Sequence, residues 1–316
     1  MSNALGIKSG TKNIQVAQIG NKSIPMSLEK LIDSKLLITA SSGGGKSYAL
    51  RKILEQTARL VQQFVFDTEG EFENLSENYS YLIINDRDSA IKIGGFDPFH
   101  LAQELLKRKS SAIFDISNLD PDSRGEFIKR FVEGMMAIDS EFWTHVIVAI
   151  DEAHLFAPQQ DKSPAKKALI DLACRGRKRG YCPIFATQRL VRLNKSVVSE
   201  LQTRFIGQMT LDIDIKRAAE ELGMSTGAAI EALSDLDVGE FLAYGPAISR
   251  SIQKIKIRET KTSHGSLPAE ISPPAPLTKK STGELLVALI KAGNDAPPST
   301  EEDRNFNDEE QHEDKV

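Results

Sequence analysis

Apolar residues along this chain recur with two different spacings, and the spacing switches repeatedly. From residue 36 onward, short continuous apolar runs alternate with longer stretches in which apolar positions return once per helical turn. The first spacing marks buried strands, the second amphipathic helices. Strands are predicted at 36–40, 64–66, 112–116, 145–150 and 184–186, and helices at 46–62, 101–107, 121–137 and 164–174. A hairpin-like stretch lies at 81–93, and later runs at 205–209, 241–244 and 252–257 extend the sheet at one edge. Strands separated by single helices predict an α/β fold with a mostly parallel sheet flanked by helices. That core occupies residues 35–262. Residues 1–34 read as a short β-rich opening segment, with alternation from Ile14 to Ile19 and a turn at Asn21. Residues 263–316 change character: Pro268, Pro273, Pro274 and Pro276 break regular structure, and one short amphipathic helix fits 282–291. Such a tail buries too little apolar surface to fold alone and is expected to be disordered, with an acidic end.

Composition alters this picture in one respect. The 316 residues are 40% hydrophobic and 27% charged, which is ordinary for a chain with a real core. A net charge of -4, taken whole, argues against a polyanionic partner. Residues 293–316, however, hold nine acidic side chains against Arg304 and Lys315, a charge of -7, which leaves +3 for residues 1–292. The acidity belongs to the tail, so a nucleic-acid partner for the core stays open. No run approaches the roughly 18 apolar residues of a membrane span, and no signal-peptide pattern opens the chain. Cys174 and Cys182 are too few for a disulfide scaffold, and their spacing fits no zinc pattern. A cytoplasmic protein without membrane contact is the expectation.

Chemistry enters directly after the first strong strand. There Ala40-Ser-Ser-Gly-Gly-Gly-Lys46-Ser47 leads into a helix and fits the phosphate-binding loop, except that its first glycine is Ala40. Gly43, Gly44 and Gly45 let successive backbone N–H groups turn toward one point, and the helix N-terminus adds its positive dipole end. Lys46 reaches the β- and γ-phosphates and the Ser47 hydroxyl is placed to ligate Mg²⁺, with Ser42 and Tyr48 flanking the bound nucleotide. About a hundred residues on, an apolar strand ends in Asp151-Glu152. An aspartate there holds the Mg²⁺ shell and an adjacent glutamate activates water, so the pair implies ATP hydrolysis and not binding alone. The letters Asp151-Glu-Ala-His154 also occur in DEAH-box helicases, but those need two RecA-like lobes, and one fits here.

The longer string from Ile150 to Pro158 resembles the HerA family of hexameric DNA translocases, grouped with FtsK-type motors and the conjugation and secretion ATPases. In the same order, Asp67-Thr-Glu-Gly-Glu71-Phe72 is similar to the family's D-x-x-G-E-aromatic turn. Arg175-Gly-Arg-Lys-Arg-Gly180 is similar to its basic turn, and Ala186-Thr-Gln188-Arg189 to the strand end carrying a γ-phosphate-sensing glutamine. The resemblance spans about residues 25–265, through the closing strands and Ser263-His-Gly265. It implies a RecA-like P-loop NTPase core that binds ATP and Mg²⁺, works as a hexameric ring, and moves or unwinds double-stranded DNA. It implies Gln188 as sensor and Arg175 or Arg177, with Arg177 preferred, as the guanidinium that reaches a neighbouring subunit's site. Two departures stand out: only about 35 residues precede the sheet, too few for the family's N-terminal β-barrel, and the tail differs. A partner nuclease or other effector is thus implied without that docking route.

Residues 172–196 hold seven basic side chains and no acidic ones. Beyond the two arginines above, Arg189, Arg192 and Lys195 follow Gln188 on a loop that would face the pore of a ring, where cations neutralise backbone phosphates without reading sequence. Glu71 either faces the nucleotide or caps its turn, and His154 packs beside the site. Two other functions fit the same motifs: a packaging, conjugation or secretion motor with another cargo, and a nucleotide-switched ring that positions a partner enzyme.

Overall fold

Successive side chains of a strand point to opposite faces of its sheet, and both faces are apolar here, as a buried parallel sheet requires. Along Gln62–Asp67, Phe64 and Phe66 enter one core cluster while Val65 enters the other. Along Val146–Ile150, Val146, Val148 and Ile150 face the first core, and Ile147 and Ala149 the second. The structure, a computed structural model, describes residues 12–86 and 92–263. The expected tail helix and acidic end therefore lie outside the described residues.

The strands in chain order are β1 (Asn13–Ile19), β2 (Lys22–Ser27), β3 (Leu36–Thr39), β4 (Gln62–Asp67), β5 (Tyr81–Ile84), β6 (Ser111–Asp115), β7 (Val146–Ile150), β8 (Tyr181–Thr187), β9 (Thr203–Gly207), β10 (Glu240–Gly245) and β11 (Ser249–Ile257). The helices are α1 (Leu28–Ser34), α2 (Lys46–Thr57), α3 (Pro98–Arg108), α4 (Pro121–Ala137), α5 (Lys166–Arg175), α6 (Lys195–Glu200), α7 (Asp212–Leu222) and α8 (Thr226–Ser234). All eleven strands form one sheet, ordered β2-β1-β11-β10-β9-β3-β8-β7-β4-β6-β5. The block from β9 to β5 is parallel, and β10, β11, β1 and β2 extend it antiparallel at one edge. The sheet is thus α/β and mostly parallel at its centre, with helices on both faces. Among the described residues no helix is long and apolar enough to cross a membrane.

Three local readings change. The 81–93 stretch is no hairpin: β5 is a parallel edge strand on β6, and the bridge from Asn85 to Lys92 is also parallel. Alternation shows a strand, but direction is set by what covers the connection. β8 begins at Tyr181, three residues before the predicted start, and so contains Pro183. A central proline costs a ladder bond, but β3 pairs with β8 only from Ile184 onward. Helices α7 and α8, unread in the sequence, are short and cover β9 and β10 with Ile215, Ala218, Leu222 and Leu233.

The first core centres on an aromatic cluster, with Phe114 and Phe131 ring centroids 4.7 Å apart in an edge-to-face arrangement. It is closed by α3 and α4, which approach closely where a Cβ on Gly134 would sit 2.2 Å from the Phe99 carbonyl oxygen. Gly134→Ala should force the helices apart and cost about 1–3 kcal/mol. A urea midpoint equal to the parent's would show that the contact tolerates a methyl group.

Candidate nucleotide site

The C-terminal ends of parallel strands converge at a topological switch point, where α/β sheets place ligands. Here β3 delivers the loop 40–45, β8 delivers Gln188, β7 delivers Asp151 and Glu152, and β4 delivers the turn Asp67–Phe72. The loop needs its glycines for separate reasons. Gly43 and Gly45 hold φ of 76° and 92°, the left-handed region closed to most side chains. A Cβ on Gly44 would lie 2.9 Å from the Cβ of Ala40. Ala40 thus stands where the motif has glycine because Gly44, and Gly207 on β9, leave it room.

The cavity at this end has a volume of about 760 Å³ and is lined by Ser42, Gly43, Gly45, Lys46, Ser47, Tyr48, Asp151, Glu152 and Gln188, all named from the sequence. Gly44 belongs to the loop but does not line the cavity; its N–H donates to the Ser41 carbonyl at 2.9 Å and its own carbonyl accepts from Gly239 at 3.2 Å. A cavity of about 810 Å³ opens at the opposite end of the sheet, beside Gln62, Ser111 and His145. It lacks a phosphate loop, and the residues named from the sequence gather around the first.

Lys46 is buried between two carboxylates, 2.5 Å from Asp151 Oδ1 and 3.0 Å from Glu152 Oε1. Burial lowers its pKa, but the two negative charges raise it further, so the ammonium persists. Burial pushes Asp151 upward against the pull of Lys46. Burial acts upward on Glu152 as well, but the hydrogen bond from His154 and the charge of Lys46 outweigh it and hold that carboxyl at about 2. Glu152 Oε2 also accepts from the Gln188 backbone N–H at 3.3 Å, and His154 Nδ1 lies 3.0 Å from the Thr187 hydroxyl. Glu152 adopts φ 45°, a conformation costing a non-glycine residue about 1–3 kcal/mol, of the kind that concentrates at functional sites. On the neighbouring strand, Asp67 accepts from the N–H groups of Glu69, Gly70 and Phe72 and so shapes the turn that carries Glu71 to the cavity.

A divalent cation fits this donor set. Asp151 is 1% exposed, lines the cavity, and its Oδ2 has no hydrogen-bond partner, while Ser47 lines the same space. Mg²⁺ characteristically takes one or two protein ligands and fills its octahedron with phosphate oxygens and water.

The basic segment is divided. Arg189, Arg192 and Lys195 lie at the nucleotide end of the sheet; Arg189 pairs with Asp214 at 3.2 Å, whereas Arg192 and Lys195 are exposed. Arg175 and Arg177 precede β8, at the other end of a seven-residue strand, and pair with Asp171 and Asp33. At about 3.3 Å per residue they are some 20 Å from the nucleotide cavity of their own chain. Sequence reasoning missed Glu69, Val238, Gly239, Lys256, Ile257 and Glu259, which also line it. Only the Asp237-Val-Gly239 turn gave a local signal. Glu69 comes with the turn after β4, and Lys256, Ile257 and Glu259 arrive because β10 runs antiparallel to β9, which returns the start of β10 and the end of β11 to the nucleotide end.

Residues 15–130 match the family model described as helicase HerA, central domain. Over 163 residues, 49% of this chain, the sequence is 35% identical to a probable DNA double-strand break repair helicase HerA of Methanocaldococcus jannaschii, and covers 31% of it. The chain therefore spans about a third of the length of such curated relatives. Among solved structures, the bacterial conjugative coupling protein TrwBdeltaN70 aligns with TM-score 0.61 at 11% identity, covering 85% of this chain and 98% of that one. The genome packaging NTPase B204 of Sulfolobus turreted icosahedral virus 2, solved with ATP-gammaS, aligns with TM-score 0.50 at 17% identity, covering 71% and 97%. At these identities the likenesses show a shared fold.

Proposed function

We propose that this chain, which carries a HerA-type central domain in a P-loop ATPase fold of the FtsK–HerA kind, is an ATP-hydrolysing ring motor that moves or unwinds double-stranded DNA. The observation that carries the ATPase reading is Lys46 of the phosphate loop held directly against Asp151 and Glu152. An incoming triphosphate competes for that ammonium. As Lys46 turns to the phosphates, Asp151 is released, and with Ser47 it would hold Mg²⁺, which would supply positive charge beside the phosphates. Glu152 loses the Lys46 counter-charge at the same moment, which removes one of the interactions that hold its carboxyl low and makes it a stronger base toward water. Gln188, whose backbone is tied to Glu152, then reports the presence of the γ-phosphate.

A ring is supported by charge. The cavity is lined by Lys46 and Lys256 against Glu69, Glu71, Asp151, Glu152 and Glu259, a formal excess of three negative charges, yet its ligand is a polyanion. Metal and a neighbouring subunit's guanidinium would supply the missing positive charge. With Arg175 and Arg177 remote from their own cavity, action across a subunit boundary is the reading that gives them a catalytic role. Arg192 and Lys195 would meet backbone phosphates, and Arg189, paired to Asp214, would orient the loop.

Because the same fold serves proteins named for packaging and for conjugation, the ATPase core does not choose the cargo. Duplex DNA is expected to stimulate ATP turnover, and the affinity for DNA that sets half-maximal stimulation should fall by about 10³-fold or more between about 50 and 200 mM salt if six or more phosphates are contacted. ATP hydrolysis indifferent to DNA, with ATP-dependent ring assembly, would instead favour a nucleotide-switched ring that positions a partner.

A further inference from the structure

The cations expected to meet nucleic-acid phosphates and the glutamine expected to sense the γ-phosphate share one loop, 188–195, which leaves β8 at the nucleotide end. That loop is fastened along its length. At its start the Gln188 N–H donates to Glu152 Oε2 at 3.3 Å, and the Arg189 N–H donates to the Thr187 hydroxyl oxygen at 3.1 Å. Its far half runs beside the segment that continues from Asp151-Glu152. Leu193 forms an antiparallel bridge with Pro158, and the Gln159 N–H donates to the Arg192 carbonyl at 2.6 Å. Gln159 Oε1 accepts from the Lys195 N–H at 2.7 Å. The middle of the loop is held from elsewhere, by one carboxylate of α7. Asp214 Oδ1 accepts from the Val191 N–H at 2.8 Å, and Oδ2 accepts from Arg189 Nε at 3.2 Å.

Asp214 is 2% exposed, and no step of the nucleotide chemistry uses it. A carboxylate in a helix's first turn is favoured by the helix dipole without being buried. Burial of this one is a cost that its hydrogen bonds must offset. Both of its oxygens go to the loop, and α7 is left without a side-chain cap. The helix is seated in the first core through Ile215, Ala218, Ala219 and Leu222, so the anchor is rigid. We propose that Asp214 is a positioning residue that makes the loop a single lever: a phosphate drawing on Arg192 or Lys195 displaces Gln188 relative to Glu152 instead of bending the loop between them. Asp214 touches neither nucleotide nor DNA and acts through the loop it holds. The proposal rests on the DNA reading of Arg192 and Lys195 and adds how that contact reaches the nucleotide end.

The test follows ATP turnover of the full chain against duplex DNA concentration at low salt, with DNA binding by fluorescence anisotropy, for the parent, Asp214→Ala and Asp214→Asn. Alanine removes both anchors and should abolish the DNA-dependent rise in kcat, while turnover without DNA stays at the parent level. Duplex DNA should still bind, because Arg192 and Lys195 remain. Asparagine keeps an acceptor for the Val191 N–H but loses the charge that holds Arg189, and should retain part of the rise. A parental rise in Asp214→Ala, or in Asp214→Asn should alanine not fold, overturns the anchor. An equal fractional loss of turnover with and without DNA overturns it too, by making Asp214 a packing residue. Loss of DNA binding alongside the rise assigns Asp214 to the binding surface and overturns the lever. A parent that DNA does not stimulate refutes the DNA reading itself, a result distinct from these.

Discussion

Glu152→Gln is expected to slow ATP hydrolysis by about 10²–10⁴-fold while ATP still binds. The amide has the carboxylate's shape and can still accept from the Gln188 N–H, so the strained backbone at residue 152 is disturbed little, and Lys46 keeps its ion pair with Asp151. What it cannot do is take a proton from water. His154 and Lys46 hold the wild-type carboxyl at about 2, where it is ionised but a weak base. Removing its charge also relieves the excess of carboxylates in the cavity, so ATP affinity should hold or rise. Single-turnover hydrolysis alongside direct binding separates the two effects, and turnover at the parent rate would remove Glu152 from the chemistry.

Arg177→Ala should be as damaging, and in a different manner. A guanidinium that reaches transition-state charge contributes about 10³–10⁵ in turnover. In this fold Arg177 cannot reach its own cavity, because it lies in the turn before β8, whose far end leads to Gln188. Its present partner, Asp33, is exposed and 3.2 Å away, a pair of the kind worth about 0–1 kcal/mol and easily exchanged for a phosphate. If it acts across a boundary, each mutant subunit silences a neighbour's site. Mixtures with wild-type protein should then lose activity faster than the wild-type fraction falls. A linear dependence would confine any effect of Arg177 to its own subunit and sink the intersubunit role.

The loop 40–47 and the pair Asp151-Glu152 were legible because their chemistry is local. A glycine run cannot be replaced where φ is positive, and a pair of carboxylates after an apolar strand, ordinary turn residues by themselves, gains meaning once a phosphate loop is present. The alternation of strands and helices was legible for a similar reason, since burial on two faces writes itself into continuous apolar runs. The parallel setting of β5, the early start of β8 at Pro183, and the short helices α7 and α8 were not, because each depends on neighbours remote in the chain. The basic run at 172–196 shows the difference most clearly. It looks like one feature in sequence, and β8 carries its two halves to opposite ends of the sheet.

The alternation of strands and helices through the core, the phosphate loop, and the acidic pair that meets it were thus determined by the chain alone, through spacing and backbone requirements that act over a few residues. Only the tertiary structure decided which remote segments complete the cavity. The antiparallel return of β10 and β11 brings Val238, Gly239, Lys256 and Glu259 back to the loop, and pairing of β8 between β3 and β7 sets Arg177 away from it. Hydrogen-bonded register between strands far apart in sequence controls both outcomes, and no local pattern encodes it.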